Sequence, residues 1–130
     1  MLLVIYRMWV LKNILVPGLI LLVLDGAFLS ANARMFQLQV AEVQRVSLQM
    51  KPLGAIICYA LLIFGLYYFI LREHKSIKEA MLLGFVIYGI FESTNYALLK
   101  RWNMKTMVVD TIWGATLLGL TTYLTYKFNA

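Results

Sequence analysis

"AMLLGFVIYGIFESTNYALL", residues 80–99, decides how the rest of this chain is read. A helix needs about 20 residues, at 1.5 Å each, to cross roughly 30 Å of hydrocarbon. This run has that length. Its far end carries Glu92, Ser93, Thr94 and Asn95 before Ala97, Leu98 and Leu99 resume the apolar text. Three further runs match it in length and character: Asn13 to Ala33, Pro52 to Leu71 and Thr106 to Tyr126. The breaks "REHKSIK" (72–78) and "KRWNMK" (100–105) are charged and short. Short connections join antiparallel neighbours. The expected fold is therefore all-α: four antiparallel transmembrane helices forming a single integral-membrane domain, 1–130.

Composition supports this. The chain has 130 residues, 62% hydrophobic and only 14% charged. Soluble domains average about 45–50% apolar and roughly 25% charged. One small core could not bury so much apolar surface. The net charge of +6 does not point to nucleic acid, because the basic residues lie between apolar runs, where they read as interface anchors. The single Cys58 excludes an internal disulfide, and with the single His74 it excludes a His/Cys zinc quartet. There is no phosphate loop, GxSxG or HExxH. No cofactor is expected.

Two segments lie outside the spans. "MLLVIYRMWVLK" (1–12) either rests on the surface or extends the first helix. In "RMFQLQVAEVQRVSLQMK" (34–51), Phe36, Val40, Val43 and Met50 form one helical stripe away from Gln37, Gln44, Arg45 and Gln49. That pattern suggests an amphipathic helix in the interface. The alternation of "FQLQV" and "VSLQM" also fits a strand pair, the less favoured reading. "ANA" (31–33) imitates a signal-peptidase site. The apolar run before it is too long for a leader, however, and contains Asp25.

The face holding both termini is called side A. Tyr6, Trp9, Tyr67, Tyr68, Tyr123 and Tyr126 fall near it, and Trp102 marks side B. Lys and Arg divide evenly between the two sides, so the positive-inside rule assigns no orientation.

Asp25, Glu92 and Asp110 lie inside spans. Each costs roughly 2.5–3.5 kcal/mol at a helix centre. Counting 1.5 Å per residue, Asp25 sits roughly 12 Å from side B, Glu92 and Tyr59 roughly 10 Å, and Asp110 roughly 6 Å. All four helices thus bring a polar group to the same half of the membrane. Three stripes should turn inward: Tyr88, Glu92, Asn95 and Leu99; Thr106, Asp110, Trp113, Gly114 and Thr121; Asp25, Phe28 and Asn32. The small pairs Gly26/Ser30, Gly89/Ser93 and Ala115/Gly119 would let helices approach closely. The expected ligand-binding residues are Asp25, Tyr59, Tyr88, Glu92, Asn95, Asp110 and Trp113, with segment 34–51 over the mouth of the pocket. Lys100, Arg101 and Lys105 are candidates for lipid-headgroup contact.

"VLDGAFL" (23–29), "GFVIYGIFESTNYALLKRW" (84–102) and "VVDTIWGATLLGL" (108–120) resemble the signature segments of a family of predicted membrane proteins, domain of unknown function 2177. The family pattern has Asp at Glu92 and usually Trp at Phe28. The resemblance implies a four-helix membrane protein and no particular activity.

The expected function is a multi-pass membrane protein whose acidic intramembrane pocket binds or passes a small ligand, a proton or a lipid headgroup. The alternative is an accessory or scaffold subunit, with other membrane subunits or further copies as partners. A lipid-modifying enzyme is the weaker reading, since no nucleophile or metal set accompanies the acids. The bilayer is the expected partner in every case.

Overall fold

The computed structural model describes residues 1–45 and 50–130. Among these the chain is all-α, with no strand. Four helices are long and apolar enough to cross a membrane.

The first is longer than its apolar run suggested. α1 (Leu2–Val10), a π-helical turn (Leu11–Leu15) and α2 (Val16–Ala31) make one continuous rod of 30 residues. At 1.5 Å per residue that is roughly 45 Å, well beyond the hydrocarbon thickness. Residues 2–12 therefore extend the first helix. The π turn has a local cause. The Pro17 ring crowds the carbonyl four residues back, that of Asn13. Val16 N donates five residues back to Leu11. Because Pro17 has no N–H, the Lys12 carbonyl is left without a helical donor. That carbonyl instead accepts a hydrogen bond from Asn129 Nδ2, 2.8 Å away.

α3 (Ala33–Gln44) follows with little break. The alternating "FQLQV" is helical, so the strand reading fails there. Val46 to Gln49, the greater part of "VSLQM", lie outside the described residues. Within α3 the apolar stripe is only half-buried, and Gln39 is the buried residue.

α4 (Pro52–Phe69) begins on a proline, which costs nothing in a first turn whose N–H groups have no helical partner. A 3₁₀ turn (Leu71–Glu73) and His74, at φ 51°, reverse the chain. α5 (Ile77–Leu98) starts with a capping box: Glu79 N donates to Ser76 Oγ at 3.2 Å, and Ser76 N donates to Glu79 Oε2 at 3.0 Å. α6 (Met104–Asn129) starts at Asn103, whose Oδ1 accepts from Lys105 N at 2.7 Å.

The closest packing lies between α5 and α6. A Cβ on Gly84 would sit 2.1 Å from the carbonyl oxygen of Gly114, and one on Gly114 would sit 2.2 Å from Tyr88 Cγ. A Cβ on Gly119 would sit 2.5 Å from Met81 Cγ. Positions on α5 fall as those on α6 rise, so this pair runs antiparallel. Of the three small pairs the spacing suggested, Ala115/Gly119 lies in this seam, where a Cβ on Gly84 would also approach Ala115 Cα to 3.1 Å, and the other two do not. Gly26 faces open space, and Ser30 and Ser93 are exposed. Gly89 makes only ordinary contact with Thr111 Cγ2, at 3.5 Å.

Leu21, Leu62, Leu66, Ile70, Leu117 and Leu118 form the apolar core under this seam. Leu22, Val23, Ile56, Leu61, Phe64, Leu82, Phe85, Ile90 and Ile112 face outward. Large apolar side chains on the outside and polar ones within is the arrangement a hydrocarbon solvent selects.

Candidate functional site

Asp25 comes from the middle of α2 and is 6% exposed. Its carboxylate is fully engaged. Trp113 Nε1 of α6 donates to Oδ1 at 2.9 Å, and the Tyr59 hydroxyl of α4 donates to Oδ2. One side chain thus ties three helices. Phe28, one turn along α2, stacks on the Trp113 ring with centroids 4.5 Å apart and planes at 9°. Phe36 of α3 meets Phe28 edge-on at 6.0 Å. These rings seal Asp25 on the side toward α3.

Glu92 is the most deeply buried of the acids, at 1% exposure. Trp102 Nε1 donates to its Oε1 at 2.8 Å. Its other neighbour is the buried Asp110, within hydrogen-bonding reach across the α5–α6 seam. Two carboxyl groups bond to each other only when one carries a proton. Asp25 stands close enough to act electrostatically on Asp110. Among the described residues no three His, Cys, Asp or Glu side chains converge as a metal site would require. The three acids therefore divide into a sealed Asp25 and a Glu92–Asp110 pair.

The remaining expected residues separate in the same way. Tyr88 packs over Gly114 and lies within electrostatic reach of Asp25 and Asp110. Of the run Glu92–Asn95, only Glu92 is buried; Ser93 and Thr94 are exposed and Asn95 is half-buried, outside the bonded cluster. Lys100 and Arg101 are exposed in the α5–α6 turn.

A cavity of about 210 Å³ opens beside the pair. It lies between α4 and α5, lined by Cys58, Leu62, Ile87, Tyr88 and Phe91, with Asp110 of α6 at its inner end. Its walls are almost wholly apolar. It offers a path from the lipid-facing surface to a carboxyl group.

Two functional contacts were invisible in sequence. Trp102 reads as an interface anchor, yet it turns back from the loop onto Glu92. Gln39, which the stripe reading of segment 34–51 left unassigned, is 3% exposed and clamps α3 to the α5–α6 turn. Its Nε2 donates to the Arg101 carbonyl at 2.9 Å, and its Oε1 accepts from Asn103 N at 2.8 Å. The only available hint was a glutamine run denser than an exposed helix requires. His74 is exposed in the α4–α5 turn and stacks on Tyr126 with centroids 3.9 Å apart.

The family described as predicted membrane protein, domain of unknown function 2177, matches residues 10–127. The chain belongs to this family. It is an integral membrane protein with several apolar helices. No curated protein and no solved structure matches it. The match covers the rod beyond α1, both acid elements and the whole α5–α6 seam.

Proposed function

We propose that this family member is a single-domain membrane binding protein that holds a proton at the Glu92–Asp110 pair. It exchanges that proton for the cationic headgroup of a small amphipathic molecule. The observation that supports this reading is a buried carboxyl pair, one member of which, Asp110, lines an apolar cavity between α4 and α5. A proton bridging two carboxyls is displaced when an ammonium group enters, because the cation satisfies both oxygens at once. The stoichiometry is simple: one ammonium in, one proton out, both carboxylates left ionised. Asp25 acts as a positioning residue, since its bonds to Tyr59 and Trp113 hold α4 and α6 in place around the cavity.

The test uses full-length protein in nanodiscs, dodecylammonium as the probe and a pH-sensitive dye. Wild type should release about one proton per bound probe, and Glu92→Gln should release none while keeping its unfolding midpoint. No proton release from wild type, or equal release from the Gln variant, contradicts the reading.

A second reading, an accessory subunit of a larger assembly, is favoured by one feature. Every residue from Met1 to Trp9 is exposed on a helix that projects past the bundle. Native mass measurement in mild detergent separates the readings: a discrete complex supports the second, and a monomer supports the first.

A further inference from the structure

On side B, away from the acid cluster, a second cavity of about 400 Å³ lies between α3 and the start of α6. That volume is within the roughly 300–1,000 Å³ usual for small-molecule sites. Unlike the cavity beside Asp110, it has mixed walls: Arg34, Gln39, Glu42, Asn103, Lys105 and Thr106 line it together with Met35 and Leu38. Gln39 and Thr106 are buried and give it a fixed floor. Gln39 is itself held by two backbone groups of the α5–α6 turn. Arg34 and Lys105 stand over this floor from two different helices. Among the described residues neither cation pairs with an acid, and Glu42 pairs with no base.

We infer that this cavity binds the headgroup of a phospholipid carrying a primary ammonium, of the phosphatidylethanolamine class. Arg34 and Lys105 take the phosphate, and Glu42 takes the ammonium. The charges complement such a headgroup group for group: two cations that suit one phosphate and one carboxylate that suits one amine. The location selects a lipid over a free phosphate ester. Arg34 lies just past the end of α2 and Lys105 in the first turn of α6, at the side-B ends of two membrane spans, where lipid phosphates lie. Lys100 and Arg101 do not share in the site. Both are absent from the cavity lining, and the Arg101 carbonyl is occupied by Gln39.

The inference is independent of the proton-binding reading, and its test is too. Delipidated full-length protein in detergent is titrated with phosphatidylethanolamine, phosphatidylcholine, phosphatidylglycerol and soluble O-phosphoethanolamine, with binding read by native mass and thermal shift. Wild type should prefer phosphatidylethanolamine over phosphatidylcholine by about tenfold, because a trimethylated ammonium cannot donate to Glu42. Glu42→Gln should erase that preference while leaving phosphatidylglycerol binding intact. Arg34→Gln with Lys105→Gln should weaken all three lipids by about tenfold or more. Lys100→Gln with Arg101→Gln removes the same charge outside the cavity and should change little. Equal losses in the two double variants would mean diffuse surface attraction and overturn the site. So would equal wild-type affinity for phosphatidylethanolamine and phosphatidylcholine. O-phosphoethanolamine binding as tightly as the lipid would overturn the assignment to a membrane ligand. Unchanged lipid-free thermal midpoints confirm that each variant is folded.

Discussion

α5 and α6 meet at Gly84 and Gly114 with no room for a methyl group, whereas α4 stands against the bundle with space beside both of its glycines. A Cβ on Gly84 would strike the Gly114 backbone, while one on Gly54 or Gly65 would meet nothing within 4 Å. α4 is attached through its buried Leu62 and Leu66 and a few particular contacts: the Tyr59–Asp25 hydrogen bond, Ile63 against Gly18, and Tyr67 edge-on to Trp9 at 5.3 Å. The contrast assigns different work to the two regions. The α5–α6 seam fixes Glu92 against Asp110, which a carboxyl pair needs in order to bond. On the proposed reading, the cavity between α4 and α5 is the route to Asp110 from the side. A protein with both gaps closed would bury its acids without access to them, and one with both open would not hold them together.

The largest expected effect breaks the seam. Gly84→Ala should destabilise the protein by about 3 kcal/mol or more, because backbone, not a flexible side chain, occupies the site. Gly65→Ala in α4 should be neutral or gain up to about 1 kcal/mol from helix propensity. Reversible unfolding in mixed micelles measures both. Similar costs for the two substitutions would remove the distinction between seam and gap.

Tyr59→Phe should come next. It leaves Asp25 with one donor and costs about 1–3 kcal/mol. Its more specific signature is a broadened α4–α5 distance distribution between spin labels, with the α5–α6 distribution unchanged. The smallest effect concerns the side-A half of α6. The hydroxyls of Thr121 and Thr125 are buried and have no hydrogen-bond partner among the described residues. Thr121→Val and Thr125→Val should each be neutral or stabilising by about 1 kcal/mol, since each removes an unsatisfied polar group at nearly constant volume. A marked loss at either position would mean that the hydroxyl has a role the seam does not explain.

Much of this was legible in the sequence, for a physical reason. Hydrocarbon demands apolar residues on nearly every outward position, so Asp25, Glu92 and Asp110 stood out, and helical spacing placed Trp113, Gly114 and Thr106 on the face of Asp110. What spacing on a single helix cannot give is the register between two helices. Of the three small pairs expected, only Ala115/Gly119 lies at the close contacts; Gly26/Ser30 and Gly89/Ser93 have the right period but do not, and Gly84 and Gly114 were not expected as a seam. Trp102 escaped for a related reason. A tryptophan in a turn suits the interface as well as the interior, and only the fold-back of α6 on α5 brings it onto Glu92. Gln39 was not picked out, because helical spacing alone does not show which glutamine a distant segment covers. Here one is buried by two backbone partners from 62 and 64 residues away in sequence.

The most direct test of the central claim is the infrared carboxyl stretch of the protein in nanodiscs near neutral pH. The account predicts a protonated-carboxyl band in wild type that is lost in both Glu92→Gln and Asp110→Asn, because one proton is shared by the two, and that persists in Asp25→Asn. A wild-type spectrum with no protonated-carboxyl band, or a band removed only by Asp25→Asn, would contradict it.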